Sequence, residues 1–270
     1  MSGAGNDFVV LDNMDSSLDP LLTEENIRNI CRRRVSVGAD GLISLEPDRE
    51  LSFRMAYFNR DGGEAEMCGN GGRCTAVFAH LRGIVNGLEP FRFRSSAGVH
   101  RALVTGPADS RIWMTEPATH FQLREISVEA GTFHVSFLNT GVPHAVIFAT
   151  EGDEDLFAAA APLLRRHEVF GKSGANVDFA KVTGASSLKV RTWERGVEGE
   201  TLACGTGAVA AAVCAWSQAG MELPVDVTTR SGNVLKVGRD PHGWWLEGEA
   251  RVVYTGSMDN VNSDILTGNP

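Results

Sequence analysis

Two cysteines of this chain stand at the start of glycine-rich turns that lead into helix-forming runs. Cys68 is followed by Gly69-Asn70-Gly71-Gly72, and Cys204 by Gly205-Thr206-Gly207. Glycine lets the backbone approach a ligand closely and point successive N–H groups at it. The positive end of a helix lowers the pKa of a thiol from its free value of about 8.5. We therefore predict that both thiols are reactive and have lowered pKa values.

The chemistry expected of such a pair is proton transfer at a carbon centre. A carboxylate could be held by the unpaired N–H groups at the two helix starts. Two such sites facing each other would then flank the adjacent carbon. One sulfur, as thiolate, would remove a proton, and the other, as thiol, would deliver one to the opposite face. General acid–base steps of this kind work best when the catalytic pKa lies near ambient pH, and the outcome is inversion of a stereocentre.

Further polar residues favour a small zwitterionic ligand. Four of them lie in turn-like or strand-end positions: Asn6, Asn59, Asn176 and Arg195. Arg195 could bind a second carboxylate in bidentate fashion. Two simpler interpretations stay open, namely that the asparagines beside glycine serve turns and that Glu194-Arg195 is a solvated ion pair. His144 is either structural or, beside a thiol, a group that tunes its pKa.

An internal repeat connects the two cysteine loops. They lie 136 positions apart (204 − 68), and the same shift aligns Gly38-Ala39-Asp40 with Gly174-Ala175-Asn176. It also aligns the strand-like segment after Gly5 with the one after Gly141. Repeats fix architecture, so we predict a duplicated chain with one thiol in each copy.

Each half reads as strand, helix, Gly-Ala turn, strand, cysteine loop, helix and several short strands. The strand after each Gly-Ala turn is predicted over 51–58 and 188–193. The short strands are predicted over 91–95, 100–104 and 111–115 in the first half and over 225–229, 234–237 and 244–249 in the second. The first helices are predicted over 23–34 and 156–166, with Thr23 at a helix start. The helix after Cys204 is apolar all round, which is typical of a buried helix. We expect an α+β fold of two pseudo-symmetric domains, each a curved mixed or antiparallel sheet wrapped around a buried central helix. The boundaries predicted are 1–115 and 116–253, with 254–270 returning to the first domain and a loose tail from Asn260.

Composition limits the class of protein. The 270 residues are 43% hydrophobic and 22% charged, as in ordinary globular proteins, and the formal net charge is −9. Nucleic acid and anionic membranes need clustered Lys and Arg, so neither is an expected partner. No apolar run is long enough to span a bilayer, and the first residues show no secretory signal. Five cysteines without a CxxC pair argue against a disulfide framework or a structural zinc site, so we expect a cytoplasmic protein.

The motifs resemble those of the diaminopimelate epimerase family of pyridoxal-independent amino acid epimerases. The segments that carry the resemblance are Gly3 to Phe8, Gly38 to Gly41, Phe58 to Gly62, Met67 to Cys74, Gly141 to His144, Asn176 to Phe179, and Trp193 to Gly207. The resemblance covers nearly the whole chain to about Gly256. It implies interconversion of LL- and meso-2,6-diaminopimelate, without cofactor or metal, on the route to lysine and peptidoglycan.

The resemblance also implies roles for individual residues. Cys68 and Cys204 match the acid–base pair, and His144 and Glu194 match residues that adjust the cysteines. Substrate contacts are implied for Asn6, Asn59, Gly69, Asn70, Asn176, Glu194, Arg195, Gly205 and Thr206. Tyr254 matches a position at the dimer interface of the family, which implies a homodimer.

Departures from the family pattern keep alternatives open. Val142 stands where the family usually has an asparagine, so one amide contact to the distal end of the substrate is missing. Gly41 stands where some members have a glutamine, and the chain starts a few residues later than the pattern. A racemase acting on another amino acid, histidine-like or proline-like, therefore remains an alternative, although Asn70 argues against the proline group. From a different class, the chain could be an amino-acid-binding module in which the two thiols form a regulatory disulfide.

Overall fold

The chain divides into two units of similar size. The computed structural model describes residues 1–65, 67–117, 122–150 and 152–258. One unit comprises Met1–Ile112 and the segment that begins at Gly248, and the other comprises Trp113–Glu247. The boundaries predicted after residues 115 and 253 stay predictions. The predicted tail from Asn260 lies outside the described residues.

The first unit is a mixed sheet with two helices. Its strands are β1 (Ser2–Gly3), β2 (Asn6–Asp12), β3 (Gly41–Glu46), β4 (Arg54–Asn59), β5 (Phe91–Ser95), β6 (Gly98–Gly106) and β7 (Asp109–Trp113, whose last residue begins the second unit). They are hydrogen-bonded in chain order. The helices are α1 (Glu24–Cys31) and α2 (Gly69–Leu81). The pairs β2/β3 and β4/β5 are parallel, because a helix or a long connection joins their strands, and the others are antiparallel.

The second unit has the same kind of architecture. Its strands are β8 (Gln122–Val128), β9 (Gly131–Asn139), β10 (Pro143–Phe148), β11 (Asn176–Gly184), β12 (Ser187–Glu194), β13 (Gly199–Thr201), β14 (Val225–Thr228), β15 (Val234–Asp240) and β16 (Gly243–Glu249, whose last two residues belong to the first unit). Its helices are α3 (Asp153–Arg165) and α4 (Gly205–Ala219). The strand order is β8-β9-β10-β11-β12-β14-β15-β16, and β13 pairs with the free part of β12.

The two units share the same order of strand-pair types. From β2 to β7 the pairs run parallel, antiparallel, parallel, antiparallel and antiparallel. From β10 to β16, with β13 left aside, the five successive pairs have the same types in the same order. The predicted α+β class is confirmed by this sheet-dominated structure with few helices.

A buried helix lies against the sheet of each unit. In α2 the residues from Gly69 to Val77 are buried, and the helix contacts β1, β2, β3, β4 and β6. In α4 the residues from Gly207 to Ala215 are buried against β9 to β12, β14 and β15. Many residues of α4 are alanines, whose side chains are small, so strands can pack close to the backbone of the helix. An all-apolar helix predicts burial, and that prediction is confirmed.

The helix α1 is shorter than predicted. Thr23 is its N-cap, as expected, and its hydroxyl accepts a hydrogen bond from the Asn26 N–H at 3.3 Å. The helix ends at Cys31 rather than Arg34, because Arg32 has an extended backbone and Arg34 lies in the left-handed region at φ 70°. Among the described residues, no helix has the length and apolarity needed to cross a membrane.

Candidate active site

In the first unit, Cys68 is the N-cap of α2. Its backbone is extended (φ −102°, ψ 123°), and its carbonyl accepts the first helical hydrogen bond from the Gly72 N–H at 2.8 Å. The N–H groups of the first helical turn have no acceptor within the helix. The half-buried Cys68 thus stands beside a set of backbone donors that can hold an anion.

Behind this turn lies a chain of four hydrogen-bonded side chains. Arg73 Nη2 donates to Asn70 Oδ1 at 2.9 Å, and Asn70 Nδ2 donates to Asn6 Oδ1 at 2.5 Å. Asn6 Nδ2 in turn donates to Asp40 Oδ2 at 3.0 Å. The structure therefore brings Asn6 and Asn70 together next to Cys68. It also adds Arg73 and Asp40, which the sequence analysis did not select.

Two other predicted residues of this unit are exposed. Asn59 is exposed at the end of β4, where its backbone forms a turn with Gly62 and Gly63. Tyr254 is 61% exposed and follows the exposed Val253. Within the part of the chain that the structure describes, no hydrogen bond joins either side chain to Asn6 or Asn70.

In the second unit, Cys204 is the N-cap of α4 in the same manner. Its backbone is extended (φ −120°, ψ 111°), and its carbonyl accepts from the Ala208 N–H at 2.9 Å. Its sulfur lies 3.3 Å from the hydroxyl of Thr206. Unlike Cys68, Cys204 is buried.

A buried histidine–carboxylate pair supports this loop. His144 Nδ1 lies 2.6 Å from Asp178 Oδ2, and both side chains are fully buried. The second carboxylate oxygen accepts from the Thr192 hydroxyl at 2.7 Å. Because a carboxylate accepts hydrogen bonds, Nδ1 carries a ring proton and donates a hydrogen bond to Asp178.

The partners of Nε2 agree with that tautomer. Asn176 Oδ1 accepts from the Arg195 N–H at 2.8 Å, which fixes the orientation of the amide. Asn176 Nδ2 then faces His144 Nε2 at 3.4 Å as a donor. Thr206 Oγ1 lies 3.0 Å from the same Nε2. His144, Asn176 and Thr206, all expected at the site, are therefore in contact, and the Arg195 backbone completes the cluster.

The pKa of Cys204 corrects one expectation. The helix start was expected to lower it, but burial raises the pKa well above its usual value, and the Glu194 and Asp178 carboxylates raise it further. These effects outweigh the interactions with Thr206 and Gly207, which lower the pKa. Burial also raises the pKa of Glu194, although the Thr201 hydroxyl donates to its Oε1 at 2.6 Å. In this structure Cys204 is therefore a thiol rather than a thiolate.

Sequence reasoning missed the supporting residues of this unit, Asp178, Thr192 and Thr201. A signal for Asp178 was present, since it lies two residues after Asn176 on the same face of β11. In the register of β10 and β11, His144 is opposite Asn176 and Val146 is opposite Asp178. In this parallel pairing the Asp178 carboxylate reaches the His144 imidazole. The contact depends on the register of the two strands, which the sequence alone does not give.

Two glycines are explained by close approach of neighbouring groups. A Cβ on Gly207 would lie 2.4 Å from Asp178 Oδ1, so the absent side chain makes room for the buried carboxylate. A Cβ on Gly41 would lie 2.6 Å from the Phe58 carbonyl oxygen and 2.7 Å from the Tyr57 ring. A glutamine at position 41 would therefore not fit here without a shift of β4.

The fold is shared with solved amino acid racemases and epimerases. A probable proline racemase from Agrobacterium radiobacter superimposes with a TM-score of 0.66 at 16% identity, over 90% of this chain and 83% of that one. A hydroxyproline epimerase from Agrobacterium vitis gives a TM-score of 0.65 at 16% identity, over 92% and 87%. These similarities define the fold class.

The sequence defines the family within that class. The family model described as diaminopimelate epimerase matches residues 1–121 and 136–256. A diaminopimelate epimerase of Chlorobaculum tepidum is 42% identical over 96% of this chain and 99% of its own length. One from Aquifex aeolicus is 38% identical over 96% of each chain. The chain belongs to the diaminopimelate epimerase family, as the sequence motifs indicated.

Proposed function

We propose that this protein interconverts LL- and meso-2,6-diaminopimelate, as an isomerase that serves lysine and peptidoglycan precursor synthesis. Family membership over nearly the full length supports the substrate. The observation that carries the chemistry is the repeated geometry of the two thiols. In each unit a cysteine is the N-cap of a buried helix whose first N–H groups can hold a carboxylate.

The proposed reaction uses Cys68 and Cys204 as an acid–base pair. One sulfur, as thiolate, takes the α-proton, so the Cα–H bond breaks and its electron pair is delocalised into the bound carboxylate. The other thiol gives its proton to the opposite face of the same carbon, and its electron pair stays on sulfur. Each turnover thus exchanges the thiol and thiolate states of the two cysteines. The helix N–H groups at Gly69-Asn70 and Gly205-Thr206 stabilise the charge that develops on the carboxylate.

The surroundings of Cys204 support its part in this exchange. When Cys204 is a thiol, the Thr206 hydroxyl can donate to the lone pair of His144 Nε2. When Cys204 becomes a thiolate, the Thr206 hydroxyl can rotate and donate to the sulfur instead. The two states differ by the rotation of one hydroxyl group, and the distances of 3.3 Å and 3.0 Å allow both. Asp178 keeps His144 in the tautomer that this requires.

The remaining polar residues are proposed to bind the rest of the zwitterionic substrate. Asn6, Asn59 and Asn176 can bond its amino and carboxylate groups, and Glu194 and Arg195 can bind the distal ammonium and carboxylate. Burial raises the pKa of Glu194, so its carboxyl group can also share a proton with Cys204.

The test is the incubation of the reduced protein with LL-diaminopimelate in deuterated water. The proposal expects deuterium at one centre only, formation of the meso isomer, and no requirement for pyridoxal phosphate or metal. The second candidate is a racemase of another amino acid, which Val142 favours because it lacks the amide usual there. Exchange with histidine or proline, but not with diaminopimelate, would establish that candidate instead. A binding module would bind diaminopimelate without exchange.

A homodimer is also proposed, with Tyr254 at its interface. Tyr254, Val252, Val253 and Met258 all have exposed side chains near the end of the described chain. Sedimentation of the wild type should give twice the chain mass of 29.0 kDa. Tyr254→Ala should shift the protein towards the monomer, and an unchanged dimer would remove Tyr254 from the interface.

A further inference from the structure

The last residue of α3, Arg165, joins two segments of the second unit. Its Nε and Nη2 atoms donate to Glu198 Oε1 at 3.1 and 2.6 Å, in the turn 195–198 between β12 and β13. Its Nη1 atom donates to the Ser173 carbonyl oxygen at 3.1 Å, in the segment 171–175 that leads into β11. All three nitrogen atoms of one guanidinium group therefore hold these two segments together.

Each of the two segments adjoins a residue of the proposed substrate site. Arg195 is the first residue of the turn, and Asn176 directly follows the other segment. The two residues are in contact, because the Arg195 N–H donates to Asn176 Oδ1 at 2.8 Å. Arg165 therefore connects the same two segments that meet at this hydrogen bond.

Local backbone features fit this arrangement. A Cβ on Gly174, which has φ 65°, would overlap both the carbonyl oxygen and Nη1 of Arg165, so glycine leaves the room that the arginine needs. The Arg165 carbonyl accepts from the Ala175 N–H at 3.2 Å. Glu198 lies in the left-handed region at φ 54°, and its Oε1 also accepts from the Gly196 N–H at 3.2 Å. The carboxylate of Glu198 thus closes the turn and binds the arginine at the same time.

The first unit has a simpler form of the same connection. Asn59 and Arg195 are 136 positions apart (195 − 59), which is the spacing of the repeat. An arginine of the first helix again donates to the turn, since Arg28 Nε lies 3.1 Å from the Asp61 carbonyl oxygen. Arg28 is exposed, whereas the side chain of Arg165 is 13% exposed and extends the connection to a second segment. The two units therefore offer a matched pair of arginines for a test.

We propose that Arg165 and Glu198 are positioning residues for substrate binding. They hold the turn 195–198 against the segment before Asn176, and so fix the place from which Arg195 binds the distal carboxylate. The inference rests on the proposed function, in which Arg195 and Asn176 bind substrate. Their role is indirect, because they act through the backbone at Arg195. A turn that is ordered before the substrate arrives loses less conformational freedom on binding, which favours affinity.

Two variants that break the connection test this role. Arg165→Met removes the guanidinium group and keeps an apolar stem. Ordering of Arg195 on binding then becomes less favourable, so KM for diaminopimelate should rise roughly tenfold. The value of kcat should stay within about twofold of wild type, because binding that is lost equally in the ground state and the transition state raises KM alone. Glu198→Ala removes the other partner and should also raise KM, and the double variant should raise it by less than the product of the single effects.

Two other arginines provide controls. Arg166 is 70% exposed, and its Nη2 donates to Glu198 Oε2 at 2.9 Å. Arg28 holds the corresponding turn of the first unit. Because exposed ion pairs and hydrogen bonds contribute little, Arg166→Met and Arg28→Met should each keep KM within about twofold of wild type. If either control raised KM as much as Arg165→Met does, the positioning role would be refuted.

Limited digestion with trypsin examines the turn independently of catalysis. Trypsin cleaves after arginine, and cleavage between Arg195 and Gly196 requires the turn to open locally. In Arg165→Met this cleavage, measured by mass spectrometry relative to the other sites, should be at least about fivefold faster than in wild type, since it follows the population of the open form. In Arg28→Met it should proceed at the wild-type rate.

The outcomes distinguish this inference from the proposed function. A wild type that does not epimerise diaminopimelate would overturn the function and the role in substrate binding, while the digestion would still show whether Arg165 holds the turn. An active wild type whose KM is unchanged in both Arg165→Met and Glu198→Ala would overturn the inference alone. The inference would also fail if Arg165→Met lowered kcat without raising KM, or if cleavage after Arg195 were no faster than in wild type.

Discussion

Gly207 and Gly71 occupy the same position in the two repeats, and alanine at each should have opposite effects. A Cβ on Gly207 would lie 2.4 Å from Asp178 Oδ1 and 3.1 Å from Thr192 Oγ1. On Gly71 its two nearest neighbours would be the ends of flexible side chains, at 3.2 Å from Ile43 and 3.4 Å from Met55, and the Cys68 Cβ would be at an ordinary contact distance of 3.6 Å. One glycine makes room for a buried carboxylate, and the other faces atoms that can move aside.

The magnitudes follow from these distances. Alanine in a helix is worth up to about 1 kcal/mol over glycine, so Gly71→Ala should leave the free energy of unfolding unchanged or raise it slightly. Gly207→Ala should lose about 2 kcal/mol or more, because overpacking costs about 1–3 kcal/mol and the hydrogen bonds of Asp178 are disturbed as well. A difference of about 3 kcal/mol between the variants corresponds to about 6–12 °C in melting temperature.

Activity should separate the variants more clearly than stability. Ordinary contact begins at 3.4 Å, so Asp178 must move by about 1.0 Å (3.4 − 2.4) to accept the new methyl group. His144 moves with it, and a displacement of this size can lower kcat about 100-fold. Calorimetry and a coupled assay of meso-diaminopimelate formation measure both effects. The supporting role of Asp178 would be refuted if the two variants had equal melting temperatures and equal kcat, or if Gly207→Ala had the kcat of wild type.

Other predictions concern the same unit. Asp178→Asn should lower kcat by at least about tenfold with little change in KM, because the amide no longer fixes the His144 tautomer; an unchanged kcat would contradict this role. Glu194 and Cys204 have raised pKa values in the folded protein, so the native state binds more protons than the unfolded chain. Their contributions to stability are therefore full below the ordinary pKa values of 4.5 and 9.0 and diminish as pH rises above them. Denaturant titrations measure this effect. As the pH rises from 4 to 7, the free energy of unfolding of Glu194→Gln should increase relative to that of wild type. For the matched variant Glu200→Gln, which breaks the ion pair with Arg191, it should decrease relative to that of wild type over the same range. If the free energies of unfolding of Glu194→Gln and wild type differed by the same amount at every pH, this would contradict the buried environment of Glu194. Alkylation of Cys204 by iodoacetamide should remain slow until the pH exceeds about 9, since the thiolate is the nucleophile, and rapid modification at pH 7 would show that its pKa is not raised.

Much of the fold could be predicted because local patterns carried it. Strand β5 was predicted with its observed bounds, and β14 with one residue too many at its end, since both are short runs between turn residues. The buried helix α4 could be recognised from its lack of a polar face. By contrast, β3 was missed, because five of its six residues are buried and it shows no alternation. A strand covered on both faces loses the period-two signal that marks a half-exposed strand.

The candidate site was predictable only where one segment contains both the group and its context. The cysteine loops combine thiol, glycines and helix start within a few residues. The pairing of His144 with Asp178 depends on the register of two parallel strands, and the contact of Arg73 with Asn70 depends on burial of a charged side chain that sequence analysis would place at the surface. The sign of the Cys204 pKa shift was wrong for a related reason. Helix geometry is local, but the burial and the two carboxylates that raise the pKa come from tertiary structure.

The central claim is that two thiols act on opposite faces of one carbon. Hydrogen exchange of LL- and meso-diaminopimelate in deuterated water, measured by NMR with Cys68→Ala and Cys204→Ala, tests it most directly. Neither variant should invert the substrate, and any exchange should be confined to one stereoisomer in Cys68→Ala and to the other in Cys204→Ala. Near-normal inversion by either variant, or exchange of both stereoisomers by a single remaining thiol, would contradict the two-base account.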